Sequence, residues 1–277
     1  MAGRGHPLAG ARVSLLADIV ESKRREIAEL RGQPRARSSR AVFDVVEALR
    51  RRDRLHLIAE VKLKSPSAGR LSRALAPPAR AVAYARAGAS MVSVLCDGPF
   101  FDGGWEHLAA SREALDAAGL TLPLLAKEFV LDARQVQEAR DRGADAVLLI
   151  ARIVSPATLA ALVGTARHEG LEPMVEVVDE RELRDALAAG ARVVGVNARD
   201  LDTLAMDAER TARVLANIPA DVVAVHLSGI KGAGDVAQVA RGRADAALLG
   251  EALMRQDDPE PLLTELVAAA RAKDAGK

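Results

Sequence analysis

Arg142-Gly143-Ala144-Asp145-Ala146-Val147-Leu148-Leu149-Ile150 joins the end of one structural element to the whole of the next. Upstream, Asp132 to Asp141 has the apolar spacing of an amphipathic helix and opens on an Asp suited to cap it. Gly143 supplies the left-handed residue on which such a helix ends. Ala146 to Ile150 is too short for a helix and apolar throughout, as a strand buried on both faces must be. Ser155 to Glu169 then reads as helix again. A buried strand between two helices, joined by tight turns, is the repeating unit of an α/β fold with a parallel sheet.

The same unit recurs along the chain. Further short apolar runs occupy Leu57 to Val61, Met91 to Leu95, Leu122 to Ala126, Pro173 to Val177, Val193 to Val196, Val222 to Val225 and Ala246 to Leu249. Helical stretches lie at Pro77 to Ala87, Asp179 to Ala188, Asp207 to Asn217, Gly232 to Arg241 and Pro259 to Ala272. The Gly stop returns in Ala87-Gly88-Ala89 and Ala189-Gly190-Ala191. Right-handed crossovers repeated in this way close into a (β/α)8 TIM barrel, whereas an open doubly wound sheet has fewer strands and a point of reversal. The 277 residues suit one such barrel, so a single domain over 1–277 is expected. Val13 to Leu30 reads as an additional helix with apolar Leu16, Ile19, Val20 and Ile27, and Phe43 to Arg52 as a second short one. Together they make 10–52 an N-terminal helical extension covering the barrel.

Composition narrows the partners. A formal charge of +1 gives no basis for a nucleic-acid partner, and no apolar run is long enough to span a bilayer. Met1 to Gly10 lacks the apolar core of a signal peptide, and Cys96 is the only cysteine. A cytoplasmic protein with small-molecule partners is expected, probing no membrane and, as the simplest reading, monomeric. His107, His168 and His226 have no ligand spacing, so no metal is expected, and no cofactor. Lysine is scarce: Lys23, Lys62, Lys64, Lys127, Lys231, Lys273 and Lys277 stand among 39 basic residues. Each lysine therefore merits inspection, because an ammonium can give up its proton when buried and a guanidinium cannot.

In a TIM barrel the chemistry is built where strands end. The polar residues closing the apolar runs are Glu60 and Lys62, with Ser65 just beyond; Lys127; Glu176; Asn197, with Arg199 following; Ser228-Gly229; and Gly250-Glu251. Phe100, Phe101 and Phe129, three of only four phenylalanines, fall just past the second and third runs. Gly229 and Gly250 allow backbone to approach a phosphate closely.

These stretches, in order, resemble the indole-3-glycerol-phosphate synthase family. The likeness is carried by Ile58-Ala59-Glu60-Val61-Lys62 with Ser65-Pro66-Ser67-Ala68-Gly69, Phe100-Phe101-Asp102-Gly103, Lys127-Glu128-Phe129, Glu172-Pro173-Met174-Val175-Glu176, Gly195-Val196-Asn197-Ala198-Arg199-Asp200-Leu201 and Ser228-Gly229-Ile230. The resemblance implies a phosphosugar substrate bearing an anthranilate ring, closed to an indole with loss of carbon dioxide and water. It implies Lys127, Glu176, Glu60, Lys62 and Asn197 as catalytic, Ser65, Phe101, Phe129, Leu148, Arg199 and Ser228 as substrate-binding, and Gly229, Gly250 and Glu251 as phosphate-binding. Phe101, Phe129 and Leu148 would hold the aryl ring. Four positions depart from the family pattern: Leu227 stands where Glu is usual, Ala126 and Glu128 flank Lys127 in place of Arg and Asp, and Cys96 replaces a common Thr. Three other readings accompany the synthase: a paralogue acting on a modified anthranilate, the related phosphoribosylanthranilate isomerase, and an impaired barrel that binds phosphosugars without turnover.

Overall fold

The computed structural model describes residues 14–32, 34–35, 37–51, 53–66, 68–200 and 205–271. Residues 1–13, where the N-terminal extension was expected to begin, lie outside the described residues, as do Leu201 and Ala272. Eight parallel strands close into a barrel: β1 His56–Val61, β2 Met91–Leu95, β3 Leu124–Lys127, β4 Ala146–Ile150, β5 Glu172–Val177, β6 Val193–Asn197, β7 Val223–Leu227 and β8 Ala246–Leu249. Each pairs with its sequence neighbours, and β1 pairs with β8 to complete the circle. The third strand starts two residues later than its apolar run because Pro123 has no N–H to give the ladder; its carbonyl instead accepts from Val92 N.

Helices α1 Leu15–Arg31 and α2 Val45–Leu49 precede the barrel. Around it run α3 Pro77–Arg86, α4 Gly98–Phe101, α5 Trp105–Ala117, α6 Ala133–Asp141, α7 Pro156–His168, α8 Glu180–Ala188, α9 Ala208–Ala216, α10 Ala233–Ala240, α11 Glu251–Met254 and α12 Glu260–Ala269. The capping expected from sequence is present. Asp132 and Gln135 form a capping box on α6, and Ser155, Asp179 and Asp207 accept backbone N–H groups of α7, α8 and α9. Gly88, Gly143 and Gly190 end α3, α6 and α8 at φ of 94°, 89° and 85°. Helix α5 is an addition to the elements read from sequence. Its inward positions are Leu108, Ser111, Arg112 and Leu115, so a hydroxyl and a guanidinium interrupt the apolar stripe that would have announced it.

Alternation along the strands divides the core in two. Outward residues such as Val147 and Leu149 pack under the helices, while Ile58, Leu125, Leu148, Met174, Val225 and Leu248 fill the barrel. Both ends of that inner core are covered by the N-terminal segment. Leu16 and Ile19 of α1 and Val45 and Leu49 of α2 belong to the same buried cluster as the interior. Each such side chain contributes about 1.5–3 kcal/mol relative to exposure. Helix α2 lies at the amino ends of the strands: Phe43 N donates to Asp145 just before β4, and Arg50 Nη2 to the Asp221 carbonyl just before β7. Helix α1 lies at the carboxyl ends, where its Leu15, Leu16 and Ile19 reach the cavity described next. Val20, expected on the inward face, is only half-buried; Lys23 takes that face instead and is fully buried. Among the described residues no helix is long and apolar enough to cross a membrane.

Candidate active site

A cavity of about 600 Å³ opens at the carboxyl ends of the strands. Glu60, Lys62, Ser65, Phe101, Lys127, Phe129, Glu176, Asn197, Arg199, Ser228, Gly229, Gly250 and Glu251 all line it. Leu148 does not. Along β4 the inward positions are Ala146, Leu148 and Ile150, and Leu148 sits one layer below the mouth, 2% exposed, within the barrel core. Ile150 takes the expected place on the cavity wall. The correction follows from strand periodicity: residues two apart share a face but differ in depth.

The ionic groups fall into two pairs. Lys62 Nζ lies 2.6 Å from Glu60 Oε1, and Lys127 Nζ 2.9 Å from Glu176 Oε2. Both carboxylates are buried while both ammonium groups remain about one-sixth exposed toward the cavity. Asn197 Nδ2 donates to Glu176 Oε1 at 2.8 Å, so Glu176 is held by one donor on each oxygen. The Asn197 Oδ1 in turn accepts from Ser228 Oγ at 2.7 Å and Arg199 N at 3.0 Å. That chain fixes the amide orientation and links β5, β6 and β7 across the mouth.

Two glycine positions are set by the site. Ser228 and Gly229 are successive left-handed residues, φ 64° and 88°, a turn for which glycine carries no side-chain penalty and Ser228 carries some strain. At Gly250 an added Cβ would overlap the Glu60 carboxylate and come 3.1 Å from Lys62 Nζ, so the first ion pair needs a bare backbone there. Glu251 turns its carboxylate to Arg255, 2.7 Å from Nη2, and both Gly250 and Glu251 line the cavity. Lys231 and Arg199 add positive charge to the lining.

Leu227 pairs with Asn197 across β6 and β7 and is buried, its Cδ1 only 2.6 Å from where a Cβ on Gly195 would stand. An apolar side chain there leaves both catalytic candidates paired, because Lys62 and Lys127 each already have a carboxylate. Cys96 points away from the cavity into the outer core, and burial pushes its thiol up, as suits a packing residue.

The aromatic wall and its support were only half legible. Phe101 and Phe129 face each other with ring centroids 5.9 Å apart and planes 32° apart. Behind them Lys23 Nζ lies 2.8 Å from Asp97 Oδ1, 3.0 Å from Glu128 Oε1 and 2.8 Å from Glu26 Oε2. The signal for Lys23 was its spacing, four residues after Ile19 and four before Ile27 on the apolar stripe. Burial works against its charge, but Glu128 and Asp97 outweigh burial and hold the ammonium above the usual lysine range.

Burial pushes the Glu128 carboxyl up to about 7, against the opposing pull of Lys23 and with Asp97 adding to the rise. Between about pH 4.5 and 7 the folded chain therefore binds more protons at Glu128 than the unfolded chain, and this contribution to stability is lost as pH rises through that window. Urea unfolding of Glu128→Gln should show a smaller loss of stability from about pH 5 to 8 than the parent chain shows. Equal pH slopes in the two proteins would remove Glu128 as a source.

Fold and site together define a (β/α)8-barrel enzyme with paired acid and base groups at its mouth. The model of the indole-3-glycerol phosphate synthase family matches residues 16–266. The chain is 38% identical to the indole-3-glycerol phosphate synthase of Mycobacterium ulcerans over 263 residues, covering 92% of this chain and 94% of that one. It is 43% identical to that of Roseiflexus sp. over 250 residues, 89% and 93% of the two chains. Among solved structures, a 3-hexulose-6-phosphate synthase superposes with a TM-score of 0.60 at 19% identity, covering 78% of this chain and 99% of that one, a likeness of fold. This chain belongs to the indole-3-glycerol phosphate synthase family, rather than with the isomerase.

Proposed function

We propose that the cavity converts 1-(2-carboxyphenylamino)-1-deoxyribulose 5-phosphate to indole-3-glycerol phosphate, carbon dioxide and water, as a decarboxylating carbon–carbon lyase. The observation that carries the reading is the placement of two separate Lys–Glu pairs in one cavity with an aromatic pair. Attack of the electron-rich aryl carbon on the ketone builds negative charge on the carbonyl oxygen. Lys127 stabilises that charge and donates the proton. Glu176 holds Lys127 in place, and Asn197 holds Glu176. After carboxylate leaves the ring, dehydration needs an acid at the departing hydroxyl and a base for a proton; Lys62 and Glu60 supply the second pair.

Phe101 and Phe129 bind the aryl ring, Ser65 meets its carboxylate, and Arg199 and Ser228 fix the polar sugar chain. The phosphate sits against the backbone of Gly229, Gly250 and Glu251, where Lys231 favours a dianion. The reading is of a cytoplasmic monomer of one domain, with the groups of the site brought together by closure of a single barrel. Purified protein given this substrate is expected to form a product with indole absorbance. Substrate binding without turnover would overturn the proposal in favour of a phosphosugar-binding barrel, and turnover only of ring-substituted substrates in favour of a paralogue.

A further inference from the structure

Lys23 is a charged group that the reaction does not use, fully buried, on a helix outside the barrel. Its two buried partners each have a second task. Asp97 caps α4: its Oδ2 accepts from Phe100 N at 2.8 Å and Phe101 N at 3.1 Å, while Oδ1 faces Lys23. Glu128 uses Oε1 both for Lys23 and for Phe129 N, at 2.7 Å. One ammonium thus ties together the carboxylates that anchor the backbone of both cavity phenylalanines. The same helix sends Leu16 and Ile19 into the cavity two turns and one turn earlier, respectively.

We propose that Lys23 is a positioning residue for aryl recognition: through Asp97 and Glu128 it sets the spacing of Phe101 and Phe129 and draws α1 over the ring. Without it, Asp97 and Glu128, on adjacent strand ends, lose the one group that ties them together. No attraction then holds the anchored backbones of α4 and of the turn after β3 at their present spacing, and they move apart. The aromatic gap widens, whereas the groups facing the phosphate, on β7 and β8, keep their own supports. The loss is therefore selective for the aryl part of a ligand. This inference rests on the reading that the two phenylalanines bind the aryl ring.

The test is calorimetric titration of two ligands, ribulose 5-phosphate and the ribulitol (reduced ketone) analogue of the proposed substrate, below each variant's Tm. Lys23→Met should weaken the analogue about tenfold or more and ribulose 5-phosphate no more than about twofold, a displacement of the clamp being enough for such a loss. Because Lys23→Met strands buried carboxylates and lowers Tm, Lys23→Met/Glu128→Gln is the companion. It removes one of the two buried carboxyl groups, recovers part of the Tm and, because the tie is still missing, should keep the aryl-selective loss. Equal weakening of both ligands, or of neither, in the double variant overturns the proposal. Phe129→Ala separates the two readings. If it leaves the analogue's affinity unchanged, the clamp is misassigned and the proposal falls with it; if it weakens the analogue while the Lys23 variants do not, the clamp stands and the proposal alone is overturned.

Discussion

Lys127→Ala is expected to lower kcat by about 10³-fold or more, with binding of ribulose 5-phosphate changed by no more than about twofold. The lysine closes β3 and puts its ammonium on the cavity wall, next to Glu176 on β5. Removing it deletes both a proton donor and the local positive charge at the proposed ketone oxygen. Lys62 belongs to the other pair, held by Glu60 against Gly250 of the β8 loop, and is not placed to take over at Glu176. Alanine at this partly exposed position should leave the barrel folded, although Glu176 loses one partner. Single-turnover measurement of indole appearance, alongside Tm, checks the expectation. A variant with normal kcat would remove Lys127 from the ring-closing step.

Glu176→Gln is the second large effect, about 10²- to 10⁴-fold in kcat. A carboxylate accepts on both oxygens, and here both incoming groups are donors: Lys127 Nζ and Asn197 Nδ2. The amide of Gln can accept from only one and must turn its own N–H groups toward the other. One donor is left facing a donor at a site only 1% exposed, which should also cost about 1–3 kcal/mol of stability. Glu176→Asp keeps two acceptors but retracts them, so it should fold more stably than Gln while remaining slow. Kinetics and urea midpoints for the pair distinguish loss of charge from loss of reach.

Much of the barrel could be read from the chain because its parts are locally specified. Ala146–Ile150 and Ala246–Leu249 are strands with the bounds their apolar runs suggested, and Gly143 takes the positive φ its place required. Likewise, Glu60, Lys62, Lys127, Glu176 and Asn197 meet at one mouth because each closes a strand, and closure of the sheet does the rest. What remained hidden depends on three-dimensional depth or on pairing across the chain. Leu148 and Ile150 share a face, and only the packed barrel decides which one reaches the cavity. Lys23 was hidden for a related reason. A lysine on an apolar stripe is acceptable only if its counter-charges arrive from elsewhere, and Asp97 and Glu128 come from far along the sequence.

The covering of both barrel ends by the N-terminal segment bears on the order in which the molecule can assemble during synthesis. Helix α2 emerges from the ribosome before any strand, yet its seat is built from later residues: Arg50 donates to the Asp221 carbonyl, and Arg51 to the carbonyls of Ala240, Gly242 and Ala244. Translation must pass those residues before the floor can be fastened. A segment made before every strand is thus among the last to find its complete set of partners, with the loop-closure entropy that such distant contacts entail.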